Sequence, residues 1–69
     1  MTKTKAERLL AQPWVTFNGE LMRLTEVEVR RTLEHEKGHR RRLTFILRLH
    51  SRLNKLRRER ERLELAKLS

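Results

Sequence analysis

Across residues 37–58 the chain carries nine Lys or Arg side chains and not one Asp or Glu. Nothing nearby in sequence can neutralise them, so a fold must either bring acids from elsewhere or leave the segment facing outward. The same segment, KGHRRRLTFILRLHSRLNKLRR, also carries apolar residues at a helical interval. Ile46, Leu49, Leu53, Leu56 and then Leu63 are separated by 3, 4, 3 and 7 residues, the spacing of a helix with one apolar seam. A long amphipathic helix that buries its seam and displays its charge meets both constraints. It is predicted over residues 39–68, with its helical part, from about Arg40 to Lys67, about 42 Å long. Residues 43–49 are apolar nearly all round, with Phe45 and Leu47 added to the seam, so this part is expected to be the buried half. Past Leu56, Arg60 and Lys67 occupy seam positions. Arg57–Glu61 and Arg60–Glu64 form the i,i+4 pairs of an exposed helix there, so the last third is expected to project.

Sixty-nine residues suffice for one small domain near the lower limit of a self-sufficient core. With no cysteine, neither disulfides nor thiolate metal sites can reinforce it. Thr4 and Glu7 have capping-box spacing and open a short, partly frayed helix within residues 1–12, which Pro13 stops. Trp14-Val15-Thr16-Phe17 is β-branched and aromatic, and Asn18-Gly19 follows, so a small hairpin is predicted over residues 14–24. It would rest on the helices through Trp14 or Phe17 and Leu21 or Met22. Trp14 reads as a core residue, with an anchor in a partner's pocket as the alternative. Thr25 and Glu28 form a second capping box opening a helix over residues 25–37, whose Val29 and Leu33 share a face. Gly38 is the natural interruption, with a kink inside one longer helix as the alternative. The expected fold class is mainly α: a short N-terminal helix, a small β-hairpin, a helix, and a long basic C-terminal helix.

Charge is unevenly spread along this frame. Residues 1–38 hold seven basic and six acidic side chains, whereas residues 39–69 hold eleven and three, within a net charge of +9. That asymmetry points to an acidic or polyanionic partner engaged by the second half. On a helical projection Arg41, Arg48, Arg52, Lys55 and Arg62 share one face, about a quarter-turn from the leucine seam. Together with Arg40, Arg42 and Arg58 they are the candidate partner- or nucleic-acid-binding residues. A plain solvated face is the competing reading, but soluble helices usually intersperse both signs. Phe45 is the one aromatic residue of the helix and is expected in the core, so base stacking lacks its platform. Phosphate contact without base readout, or an acidic protein surface, accounts for the charge better. A helix-turn-helix reader fits poorly, because its second helix is short and this one is long with an apolar opening face. No apolar run reaches the length of a membrane span, and the N-terminal residues lack the apolar region of a signal peptide, so a cytoplasmic, membrane-free setting is expected.

His35-Glu36-Lys37-Gly38-His39 spells H-E-x-x-H, the zinc-protease pattern in which two histidines share a metal and the glutamate acts as base. Gly38 interrupts the required helix, Lys37 and Arg40 to Arg42 oppose a dication, and no third ligand is apparent. The histidines are read as junction residues between helices. Ser51 and Ser69 lack a base and its orienting group. No catalytic residue, metal or cofactor is expected.

The elements over residues 14–24 and 25–36, followed by an Arg-rich helix from His39, resemble small phage-encoded transcription regulators that bind host RNA polymerase. The resemblance covers most of the chain. It implies a non-enzymatic protein that docks on the host polymerase in the bacterial cytoplasm, inhibits initiation and affects termination. On the residues alone, a monomeric or weakly dimeric docking protein stands beside two alternatives. One is a direct arginine-rich nucleic-acid binder, and the other is a coiled-coil adaptor.

Overall fold

The computed structural model describes residues 4–68. Four helices follow in order: α1 (Lys5–Leu10), α2 (Trp14–Leu21), α3 (Glu26–Gly38) and α4 (Leu43–Lys67). Residues 1–3 of the helix expected over 1–12 lie outside the described range. Thr4 caps α1, its hydroxyl accepting from the Glu7 amide at 3.2 Å.

The hairpin expected over residues 14–24 is corrected by α2: no strand occurs among the described residues. Asn18-Gly19 lies within the helix. The Asn18 amide group donates to the Trp14 carbonyl at 3.0 Å, and nothing beyond its chain neighbours and its own helix backbone stands within 4 Å of where a Gly19 Cβ would be. The physical reason is burial. Phe17 and Leu21 are both fully buried, and at i,i+4 a helix places them on one face. A helical Gly costs about 1 kcal/mol, whereas burying each of these side chains is worth about 1.5–3 kcal/mol. Burial wins over the local turn preference.

α3 begins as the sequence indicates. The Thr25 hydroxyl accepts from the Glu28 amide at 3.3 Å, and the Glu28 carboxylate accepts from the Thr25 amide at 3.0 Å. That carboxylate also takes a hydrogen bond from Lys5 of α1. The Lys5 bond, then the Thr25 amide, hold the Glu28 carboxyl down at about 2.

Contacts along the elements define their directions. Glu36 meets Arg42 where α3 turns into α4, and Glu26 meets Arg60 at the other end, so the two helices are antiparallel. Lys5 lies at Glu28 and Leu10 at Arg42, so α1 runs parallel to α3. Phe17, Asn18 and Met22 meet Phe45, Arg48 and Arg52 in turn, so α2 runs parallel to α4. The core between them is Leu9, Leu10, Phe17, Leu21, Leu24, Val29, Leu33 and Leu49, with Phe45, Ile46, Leu53 and Leu56 packed against it.

Residues 43–49 are not the buried half that their composition suggests. Leu43 and Leu47 are 67% and 58% exposed, and Leu49 alone of that stretch is fully buried. A helix docked on two neighbours buries an arc, and residues opposite that arc face water whatever their polarity. Trp14 likewise is 40% exposed, edge-on to Phe45 with ring centroids 5.1 Å apart. Its indole lids the aromatic cluster rather than filling the centre.

The long helix starts at Leu43, not near Arg40. With 25 residues it is about 37 Å long, against about 20 Å for the 13-residue α3. The molecule accordingly extends 47 × 25 × 22 Å. Past Arg60, which reaches Glu26 at the start of α3, residues 61–68 are all exposed.

Candidate partner-docking surface

The eight candidate cations fall into three groups once their partners are known. The first is the turn between α3 and α4. Arg42 donates to the Glu36 carboxylate through its backbone amide at 2.8 Å, its Nε at 3.1 Å and a terminal nitrogen at 2.9 Å. It also donates to the Leu10 carbonyl at 3.0 Å and lies 3.7 Å over the Phe45 ring. Glu36 is 1% exposed. Burial raises its carboxyl pKa, but the Arg42 hydrogen bonds and the Arg42 and Arg40 charges outweigh that and hold it below the usual carboxylate range. Arg42 therefore ties α1, α3 and α4 together and is not free for a partner. Arg40 and Arg41 are exposed on the same turn.

Arg41, at φ 53°, is the residue with left-handed backbone here. Its amide donates to the Glu36 carbonyl at 2.8 Å, which folds the chain back after α3. Gly38 closes α3 with an ordinary negative φ. Because Arg41 precedes α4, the projection that placed it on one face with Arg48 does not apply to it.

The second group is Arg48 and Arg52, which join α4 to α2. Arg48 Nε donates to Asn18 Oδ1 at 2.7 Å, and a terminal nitrogen sits 3.8 Å from the Met22 sulfur. Arg52 donates to the Met22 carbonyl at 3.4 Å, while its Nε is buried without a partner. These two arginines cover the end of α2 and work as struts.

The third group is Lys55, Arg58 and Arg62. All three are exposed and line a shallow groove of about 220 Å³ with Glu59. Among the described residues none of the three has an ion pair or side-chain hydrogen bond. The neighbouring arginines differ. Arg57 approaches Glu61 at 4.0 Å, and Arg60 bridges Glu26 at 2.8 Å and Glu64 at 3.4 Å. The stripe inferred from the helical projection is thus split, its upper half spent inside the fold and its lower half on display.

The H-E-x-x-H residues are arranged for another purpose. The His35 and His39 rings stack at 3.9 Å and 13°, and His39 Nδ1 lies 2.7 Å from the His35 carbonyl. Glu36 lines the same hollow as the two histidines but is buried, and Arg42 occupies both its oxygens. It is not placed to serve as a base for anything bound at the histidines.

One pairing in the site was not legible in the sequence. Arg60 looked like a gap in the seam, yet its pairing with Glu26, 34 residues away, makes it part of the α3–α4 contact. Leu63, the next seam leucine, is 65% exposed because α3 ends before reaching it. The i+7 step from Leu56 signals a seam residue, but its exposure depends on where α3 stops. Comparisons with protein-family models, curated proteins and solved structures found no significant match. No helix among the described residues is long and apolar enough to cross a membrane.

Proposed function

We propose that the chain is a non-enzymatic regulator that docks on an acidic surface of a large protein machine through the outer half of α4. The resemblance to phage transcription regulators names host RNA polymerase as that machine, inhibition of transcription as the effect, and the bacterial cytoplasm as the setting. The observation that carries the reading is the group Lys55, Arg58 and Arg62: three exposed cations without internal partners on a rigid helix that outruns the rest of the fold. Leu63 and Leu65, 65% and 66% exposed, accompany them. Phosphate contacts would use the cations but give these leucines no apolar cover. That mixture favours a protein surface over a nucleic-acid backbone.

The test uses purified, nuclease-treated polymerase holoenzyme and the full chain, followed by size-exclusion co-elution and in vitro transcription. Co-elution and inhibition are expected, both weakened at least tenfold by Arg58→Glu with Arg62→Glu. Association that vanishes once nucleic acid is removed overturns the reading. Nucleic-acid binding would then show a salt slope of about 0.9 log unit per duplex phosphate neutralised.

A further inference from the structure

We infer that the outer half of α4 receives an acidic amphipathic helix from its protein partner, laid over Leu63 where the cover of α3 ends, with carboxylates against Lys55 and Arg62. This rests on the docking function proposed above and specifies the shape and chemistry of what docks.

The fold contains the template for such a contact. α3 packs on α4 by setting Val29 and Leu33 into the core and aiming Glu26 at Arg60, 2.8 Å away. It is itself an apolar-faced helix with acids in its first turn. α3 begins at Glu26, so its cover ends there, while the seam of α4 runs on to Leu63. Leu56 is already packed against the core, whereas Leu63 is 65% exposed, so a helix continuing the line of α3 would cover Leu63 as α3 covers the seam residues before it.

Charge then decides which helix. Lys55 and Arg62 each precede a seam leucine, Leu56 and Leu63, so both lie about 100° round the same flank of α4. On the other flank Arg57 and Arg60 are already engaged by Glu61 and Glu64. The flank that holds the groove has Lys55 and Arg62 with one carboxylate, Glu59, and Arg58 lines the groove from further round the helix, so this flank is complementary to acids. A second copy of this chain is a poor occupant. It would bring the same three cations to the contact and a further net charge of +9.

The experiment titrates the full chain against a labelled helical peptide with leucines at heptad spacing and Glu on the flanks, read by fluorescence anisotropy. Two control peptides carry Ser in place of Leu or Lys in place of Glu. Binding of the acidic apolar peptide alone is expected. Leu63→Asp, and separately Lys55→Glu with Arg62→Glu, should each weaken it at least tenfold, while Glu59→Gln should strengthen it about twofold to fivefold. All these positions are exposed, and unchanged thermal melts confirm that the variants fold.

Equal binding of the Ser control, or indifference to Leu63→Asp, overturns the inference. So does a Leu63-dependent homodimer in sedimentation, or tighter, Leu63-independent binding of duplex DNA. The two proposals separate cleanly. Polymerase binding that is weakened by Arg58→Glu with Arg62→Glu but is indifferent to Leu63→Asp sinks this inference and leaves docking through the cations of α4. A peptide that binds as described while polymerase does not supports this inference and sinks polymerase as the machine.

Discussion

Replacing Gly19 by Ala tests the point at which local and tertiary preferences disagree. In α2 Gly19 is the sixth of eight residues, has a negative φ, and has nothing beyond its chain neighbours and its own helix backbone within 4 Å of the position of a new Cβ. The added methyl therefore clashes with nothing and buries nothing, which leaves backbone preference as the dominant effect. Ala exceeds Gly by about 0.8–1.0 kcal/mol in a helix interior. Placed near the helix end, the gain here should be about 0.5–1 kcal/mol, partly through a less flexible unfolded chain. For a domain of this size 1 kcal/mol moves Tm by about 4–8 °C, so a rise of about 2–8 °C is expected. In urea the midpoint should increase with an unchanged m-value. A type I′ hairpin would need positive φ at Gly19, and Ala there would cost about 1–2 kcal/mol. The two architectures thus predict opposite signs. A fall in Tm on Gly19→Ala would refute both the helical assignment and the burial argument for it.

Arg42→Ala should destabilise the fold by about 3 kcal/mol, because it strands the buried Glu36 carboxylate. Arg42→Lys should recover only part of that in urea unfolding, since an ammonium cannot reproduce the fork. The Lys5–Glu28 pair gives a pH signature. Its carboxyl is held at about 2 against an ordinary 4.5, so the stabilisation is fully present above 4.5 and is lost as pH falls toward 2. Urea midpoints of the unaltered chain and of Lys5→Met should therefore converge over that window, and a constant gap would contradict the pairing. At Arg41, with φ 53°, Val should cost about 1–2 kcal/mol and Gly should cost little or nothing by thermal melting.

The capping signals were legible because they act within one turn. Thr4 and Thr25 find their partners three residues on, and Arg57–Glu61 and Arg60–Glu64 find theirs four residues on. The leucine seam was legible for the same reason, as a periodicity. The hairpin failed because Asn18-Gly19 is a weak local preference that the joint burial of Phe17 and Leu21 overrides. The internal partners of Arg48 and Arg52 were not legible, because a helical projection shows which residues share a face but not what lies opposite. Arg48 has Asn18 across from it, 30 residues back, and Arg52 has Met22. Gly38 was a reasonable place for the chain to reverse, but the left-handed residue is Arg41, where Glu36 can take the turn's amides on both its backbone and its side chain.

By itself, then, the sequence determined that this is a helical chain with a long, leucine-seamed, highly basic last helix, since periodicity, caps and charge count need no knowledge of neighbours. Only the tertiary structure decided which of those charges remain available. Ion pairing and burial depend on distance in space, and the distances that matter here run from Arg42 to Glu36 and Leu10, from Arg48 to Asn18, and from Arg60 to Glu26. Of the eight candidate cations those contacts leave over Arg40 and Arg41 on the turn, and Lys55, Arg58 and Arg62 beside a Leu63 that is uncovered because α3 is shorter than the helix on which it packs.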